Sequence, residues 1–175
     1  MNRKIIFGVT WAVTALLLAG CSQNSSRQTT ELASFPLNDM SGIISRSGIQ
    51  IDKEISSDGK GSLKITSQGF QVVRLFETGD LDMDSCRLIY QARLRTQDFE
   101  GGVFLGMECH FAGKGDFFAR DVEHPLTGTT RWTTEEVTFY LRQGENPDNV
   151  RLHLILDGKG TVWIDDVKLL KAPLQ

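Results

Sequence analysis

Phe117 and Phe118 stand side by side in the stretch from Gly113 to Arg120, with His124 close behind. Neighbouring side chains on a strand point to opposite faces, so one of the two rings must leave the core. An exposed ring beside the Arg120 guanidinium and the His124 imidazole would line a polar-aromatic pocket suited to holding a ligand. The plainer alternative is that the two rings pin a loop onto the body of the domain. A second candidate is the pair Asp165-Asp166. Val162 and Ile164 precede it on one phase, and Val167 and Leu169 follow on the other. An inserted residue shifts the phase in this way, so a β-bulge is expected there, a feature that re-aims side chains. Catalysis finds little support and the chain is read as a non-enzyme. HExxH and GxSxG are absent, and no Cys-His pairing has a recognisable spacing. His110 and His153 fall on strands and His124 in a loop. Glu135-Glu136 and Asp165-Asp166 are sequence neighbours, whereas glycoside hydrolysis needs carboxyls facing each other across a cleft.

The elements that must position these residues are short and alternate. Leu63 and Ile65 alternate with polar neighbours, as do Leu88, Tyr90, Ala92 and Leu94. Val103, Leu105, Met107, Cys109 and Phe111 form another set, then Val137, Phe139 and Leu141, then Leu152, Leu154 and Leu156. Such period-two runs are half-buried strands. Val72 to Phe76 and Thr161 to Leu169 are further strand candidates. Asp58-Gly59-Lys60-Gly61 and Asp157-Gly158-Lys159-Gly160 read as tight turns, with Gly113-Lys114-Gly115 as a third. None has the spacing of a phosphate-cradling loop. Eight or nine strands with no helical period to cover a sheet imply an all-β fold, two sheets packed face to face as a β-sandwich or jelly roll.

At the start, Arg3 and Lys4 precede an apolar run from Ile5 to Leu18, too short to span a bilayer comfortably. Leu18-Ala19-Gly20-Cys21 then resembles the lipobox of bacterial lipoproteins. The resemblance implies a signal peptide over 1–20, a diacylglycerol thioether on Cys21, and a membrane anchor. Ser22 in place of Asp resembles the signature of lipoproteins sorted to the outer membrane. Residues 21–33 are polar and read as a tether, leaving 34–172 as one domain large enough for its own core. Without residues 1–20 the chain carries 17 basic against 22 acidic residues, a formal charge of −5. That balance argues against nucleic acid as a partner. Cys86 and Cys109 both fall on inward phases. Outside the cytoplasmic membrane they could form a disulfide or remain two small buried hydrophobes.

The segment from Val150 to Leu169, a strand and glycine pair closing on Trp163-Ile164-Asp165-Asp166-Val167, resembles the last hairpin of carbohydrate-binding-module jelly rolls of the galactose-binding-domain-like fold. Gly61-Ser62-Leu63-Lys64-Ile65, Leu88 to Arg93 and Trp132-Thr133-Thr134 fit the same pattern. The resemblance implies a non-catalytic domain binding carbohydrate or glycan at the cell envelope, with exposed aromatic rings stacking on sugar faces. Phe117, Phe118 and Arg120 are the candidates, and Phe104 and Tyr140 would add to a concave face. Trp132 and Trp163 occupy positions the family uses for core or sheet edge. The family also implies a structural calcium, for which Asp165 is the candidate ligand, although Leu37-Asn38-Asp39 departs from the usual partner loop. The rival reading is a structural or protein-interaction jelly roll of the envelope with no sugar site.

Overall fold

A computed structural model describes residues 28–79 and 81–174. Cys21, the signal peptide and most of the proposed tether lie outside the described residues. Eight strands make the fold: β1 (Thr30–Phe35), β2 (Ile49–Asp52), β3 (Ser62–Gly79), β4 (Cys86–Phe111), β5 (Gly115–Arg120), β6 (Leu126–Gly128), β7 (Thr133–Leu141) and β8 (Asn149–Pro173). All pairings are antiparallel, in the order β2-β3-β8-β4-β5, with β1 beside β8 and β6 and β7 beside β4. The expected all-β sandwich is what the chain forms.

The sandwich is built by creasing long strands, not by joining short ones. Leu88–Leu94 and Val103–Phe111 were expected as separate strands; both belong to the 26-residue β4. Asp157-Gly158-Lys159-Gly160 was expected as a hairpin turn; it is strand, with Gly158 paired to Gly69 on one side and Gly101 on the other. The crease runs through these glycines for a steric reason. A Cβ on Gly101 would lie 2.0 Å from the Asp157 carbonyl oxygen, and one on Gly158 would lie 2.0 Å from that of Glu100. Gly101 and Gly160 also hold φ of +118° and +141°, which other residues rarely adopt. The glycines thus let two backbones meet where the sheet bends back on itself. The turns at Asp58–Gly61 and Gly113–Gly115 are present, the latter closed by the Lys114 amide donating to Phe111 O at 2.9 Å.

Beyond the crease the inward phases of both layers meet in one core, including Leu63, Ile65, Val73, Leu88, Tyr90, Leu105, Met107, Leu154 and Ile164. Cys86 and Cys109 belong to it as free thiols, near opposite ends of β4. Burial pushes the Cys109 thiol up to about 12, with Glu108 adding to the effect, so both cysteines serve as small hydrophobes. Ordered pairing starts at Thr30, inside the 21–33 stretch read as a tether. Thr29-Thr30-Glu31 hides this in the sequence, but Phe35 stacks on Phe76 with ring centroids 3.8 Å apart and Ala33 to Phe35 pair with β8.

The bulge expected at the Asp pair is present. Asp166 has φ +47°, and the β4 register slips opposite it between Gln91 and Arg93. The extra residue turns Asp165 inward, where it is 1% exposed.

Candidate functional site

The outer face of the layer formed by β3, β8, β4 and β5 carries a groove of about 630 Å³. Phe70, Val72 and Arg74 come from β3, His153 and Ile155 from β8, Gly106 and Glu108 from β4, and Phe118 and Arg120 from β5. Register places them in rows across the strands. Val72 lies opposite Ile155 and Phe104; Arg74 opposite His153, then Gly106, then Arg120; Arg151 opposite Glu108, then Phe118. Gly106 keeps the middle of the second row low, because a Cβ there would meet Ile155 Cδ1 at 2.8 Å. Phe70 and Phe118 are each 70% exposed and, with Val72, add apolar surface to one groove.

The floor of the groove is polar and internally braced. Arg151 bonds Glu108 and reaches Asp116 at 3.4 Å and Glu77 at 3.7 Å. His153 Nε2 lies 3.4 Å from the other Glu108 oxygen, while its Nδ1 is buried without a hydrogen-bond partner. Burial holds the His153 pKa below the ordinary imidazole range, outweighing the opposing pull of Glu108, while Arg74 and Arg151 add to the lowering. The unfolded chain therefore takes up this proton first. His153 contributes stability that is complete above about pH 6.5 and is lost as pH falls below it. In denaturant titrations at pH 7.5 and 5.5, the loss on acidification should be smaller in His153→Gln than in the parent. An equal loss in both would show that His153 is not the titrating group.

The sequence-derived candidates are spread over several places. Phe118 and Arg120 line the groove. Phe117, on the opposite phase of β5, turns edge-on to Phe111 at 5.6 Å between centroids. It borders a smaller cleft with Phe139, Tyr140 and Lys114, so the polar-aromatic pocket does not use both rings. His124 bonds Asp121 at 3.1 Å in an exposed loop and is not part of the groove lining. Phe104 is half-buried on the groove face beside Ile155. Trp163 is buried; its indole donates to Asp52 Oδ2 at 2.9 Å and its ring is flanked by Lys64 and Arg95. In the sequence Val72 and Arg74 read only as part of a strand, and Phe70 is not singled out; none of the three reads as a site residue. The available signal was that this segment is apolar on both phases, Phe70 and Val72 on one and Val73 and Leu75 on the other.

Asp165 is bonded as a backbone cap. Its Oδ2 accepts from the Ser57 amide and its Oδ1 from the Asp166 amide, both at 2.8 Å. Burial raises its pKa in spite of those bonds. Among the described residues no three carboxylate, histidine or cysteine side chains gather as ion ligands. This donor set ties the 56–60 loop to the bulge.

No family model matches the sequence, and no curated protein matches it. Solved structures do resemble the fold. The CBM22-1 xylan-binding domain from Paenibacillus barcinonensis Xyn10C superposes with a TM-score of 0.60 at 15% identity, over 86% of this chain and 100% of that one. A family 16 carbohydrate-binding module gives 0.57 at 15% identity, over 75% and 92%. The module TmCBM61, solved with β-1,4-galactotriose, gives 0.50 at 13% identity, over 75% and 90%. These likenesses are of fold: a carbohydrate-binding-module β-sandwich.

Proposed function

We propose that the chain is a lipid-anchored glycan-binding protein of the bacterial envelope, with the groove on β3, β8, β4 and β5 as its binding face. The single observation that carries the reading is a pair of rings, Phe70 and Phe118, left exposed over a groove floored by Arg, Glu and His. Aromatic faces cover the apolar faces of sugar rings, and charged side chains bond the hydroxyls around them. Bracing of the floor by Arg151 and Glu108 limits the ordering entropy lost on binding. The floor holds a ligand without offering a reactive group: Glu108 is engaged on both oxygens.

The anchor rests on Leu18-Ala19-Gly20-Cys21. Thr30 begins the folded body, so the intervening residues 22–29 allow a separation from the membrane of at most about 30 Å. Ser22 supports sorting to the outer membrane. A protein-docking face without a sugar site is the competing use of the same exposed rings.

A glycan array probed with the purified chain tests the site. Retention on polysaccharides is expected, and a silent array together with capture of an envelope protein through Phe70 and Phe118 would establish the rival. Cell fractionation tests the anchor: Cys21→Ser should move the protein from the membrane to the soluble fraction. If the variant stays with the membrane and the parent carries no lipid by mass spectrometry, the anchor proposal is wrong.

A further inference from the structure

The charges in the groove are unequally satisfied, and this points to one class of glycan. Arg151 gathers Glu108, Glu77 and Asp116, so the carboxylates on this face are engaged by a guanidinium other than Arg74 or Arg120. Arg74 and Arg120 stand at the two ends of the next row and make no ion pair among the described residues. Two side chains separate them, His153 and the absent one of Gly106. Three inter-strand steps of about 4.8 Å set their Cα atoms roughly 14 Å apart, a gap that two long arginines close over a single sugar ring. Both are exposed, in a protein whose acidic residues outnumber its basic ones. Two unpaired guanidinium groups thus stand at the place where the exposed rings would seat a ligand.

Resting on the glycan-binding reading above, we infer that the groove selects an acidic polysaccharide, with a uronate carboxylate taken between Arg74 and Arg120. The guanidinium fork matches a planar carboxylate with two parallel hydrogen bonds, which a neutral hydroxymethyl group cannot reproduce. Burial lowers the His153 pKa, so the cationic groups facing this row are the two arginines. The unpartnered Nδ1 of His153 lies in the same row. Charge-assisted hydrogen bonds of this type are worth about ten-fold or more each in affinity.

The experiment is calorimetric titration of the purified chain with polygalacturonate and alginate, and with the same polymers after carboxyl reduction. The acidic forms should bind at least about ten-fold more tightly, and 0.5 M salt should remove most of that difference. Arg74→Gln and Arg120→Gln, both on the surface, should each erase the preference while leaving the circular dichroism spectrum and melting temperature unchanged. If acidic and reduced polymers bind equally, the charge selection is wrong and the glycan-binding groove stands. If the chain binds sulfated polysaccharide but no uronate polymer, the carboxylate assignment is likewise wrong. If no polymer of either kind binds, while the glycan array is also silent, the groove reading itself falls.

Discussion

Gly101→Ala should lower the stability of the domain by about 3 kcal/mol or more, seen as a fall of roughly 10 °C in melting temperature for a domain of this size. Two costs combine. The new methyl group would sit 2.0 Å from the Asp157 carbonyl oxygen and 2.9 Å from Gly158 Cα, both backbone atoms that cannot swing aside. The residue would also have to keep φ at +118° or force β4 away from β8. Gly158→Ala meets the same wall from the other strand, 2.0 Å from Glu100 O. Gly69→Ala is the control, because Gly69 pairs with Gly158 in the same crease yet a Cβ on it meets nothing within 4 Å. Should Gly101→Ala and Gly69→Ala melt together, the close approach of β4 and β8 is not what shapes the fold.

The second large effect is on binding. Removing both exposed rings, as Phe70→Ala with Phe118→Ala, should abolish retention on any polysaccharide that the parent binds. Covering one phenyl ring is worth about 1.5–3 kcal/mol, so each truncation costs roughly ten- to hundred-fold in affinity. Stability should hold or rise slightly, since both rings are 70% exposed and contribute little to the core. Phe117→Ala gives the contrast: its ring turns to Phe111 on the other face of β5, so affinity should stay within about two-fold of the parent. Loss of binding in Phe117→Ala with retention in the double variant would move the site to the smaller cleft beside Phe139 and Tyr140.

The two effects separate the roles of the long strands. At the crease, glycines let β4 and β8 pass between layers without a break. Beyond it, the same strands present an outward phase that the core does not need. Gly106 contributes by leaving space, and Glu108, Arg151 and His153 by bracing one another. Conversely, the Asp165-Asp166 bulge faces the opposite way: it aims a carboxylate inward, to the Ser57 amide, and ties a loop down.

Period-two alternation was enough to reveal an all-β sandwich, because a strand with one face in the core must repeat every second residue. Adjacency was enough to show that Phe117 and Phe118 part company, since consecutive side chains take opposite faces. The phase change at Asp165-Asp166 likewise announced its bulge. What local sequence could not convey was partnership. Asp157-Gly158-Lys159-Gly160 has turn chemistry in either context, and only the pairing of Gly158 with both Gly69 and Gly101 makes it a crease instead. The groove has the same origin: Phe70 and Phe118 lie 48 positions apart in the chain, and they share a face only because β8 and β4 run between their strands. Asp165 likewise takes its hydrogen bond from the Ser57 amide, more than a hundred residues away in the chain. Faces and bends follow from short-range sterics and hydrophobic phase, which are written residue by residue; neighbours across a sheet follow from register, which exists only once the whole sandwich has closed.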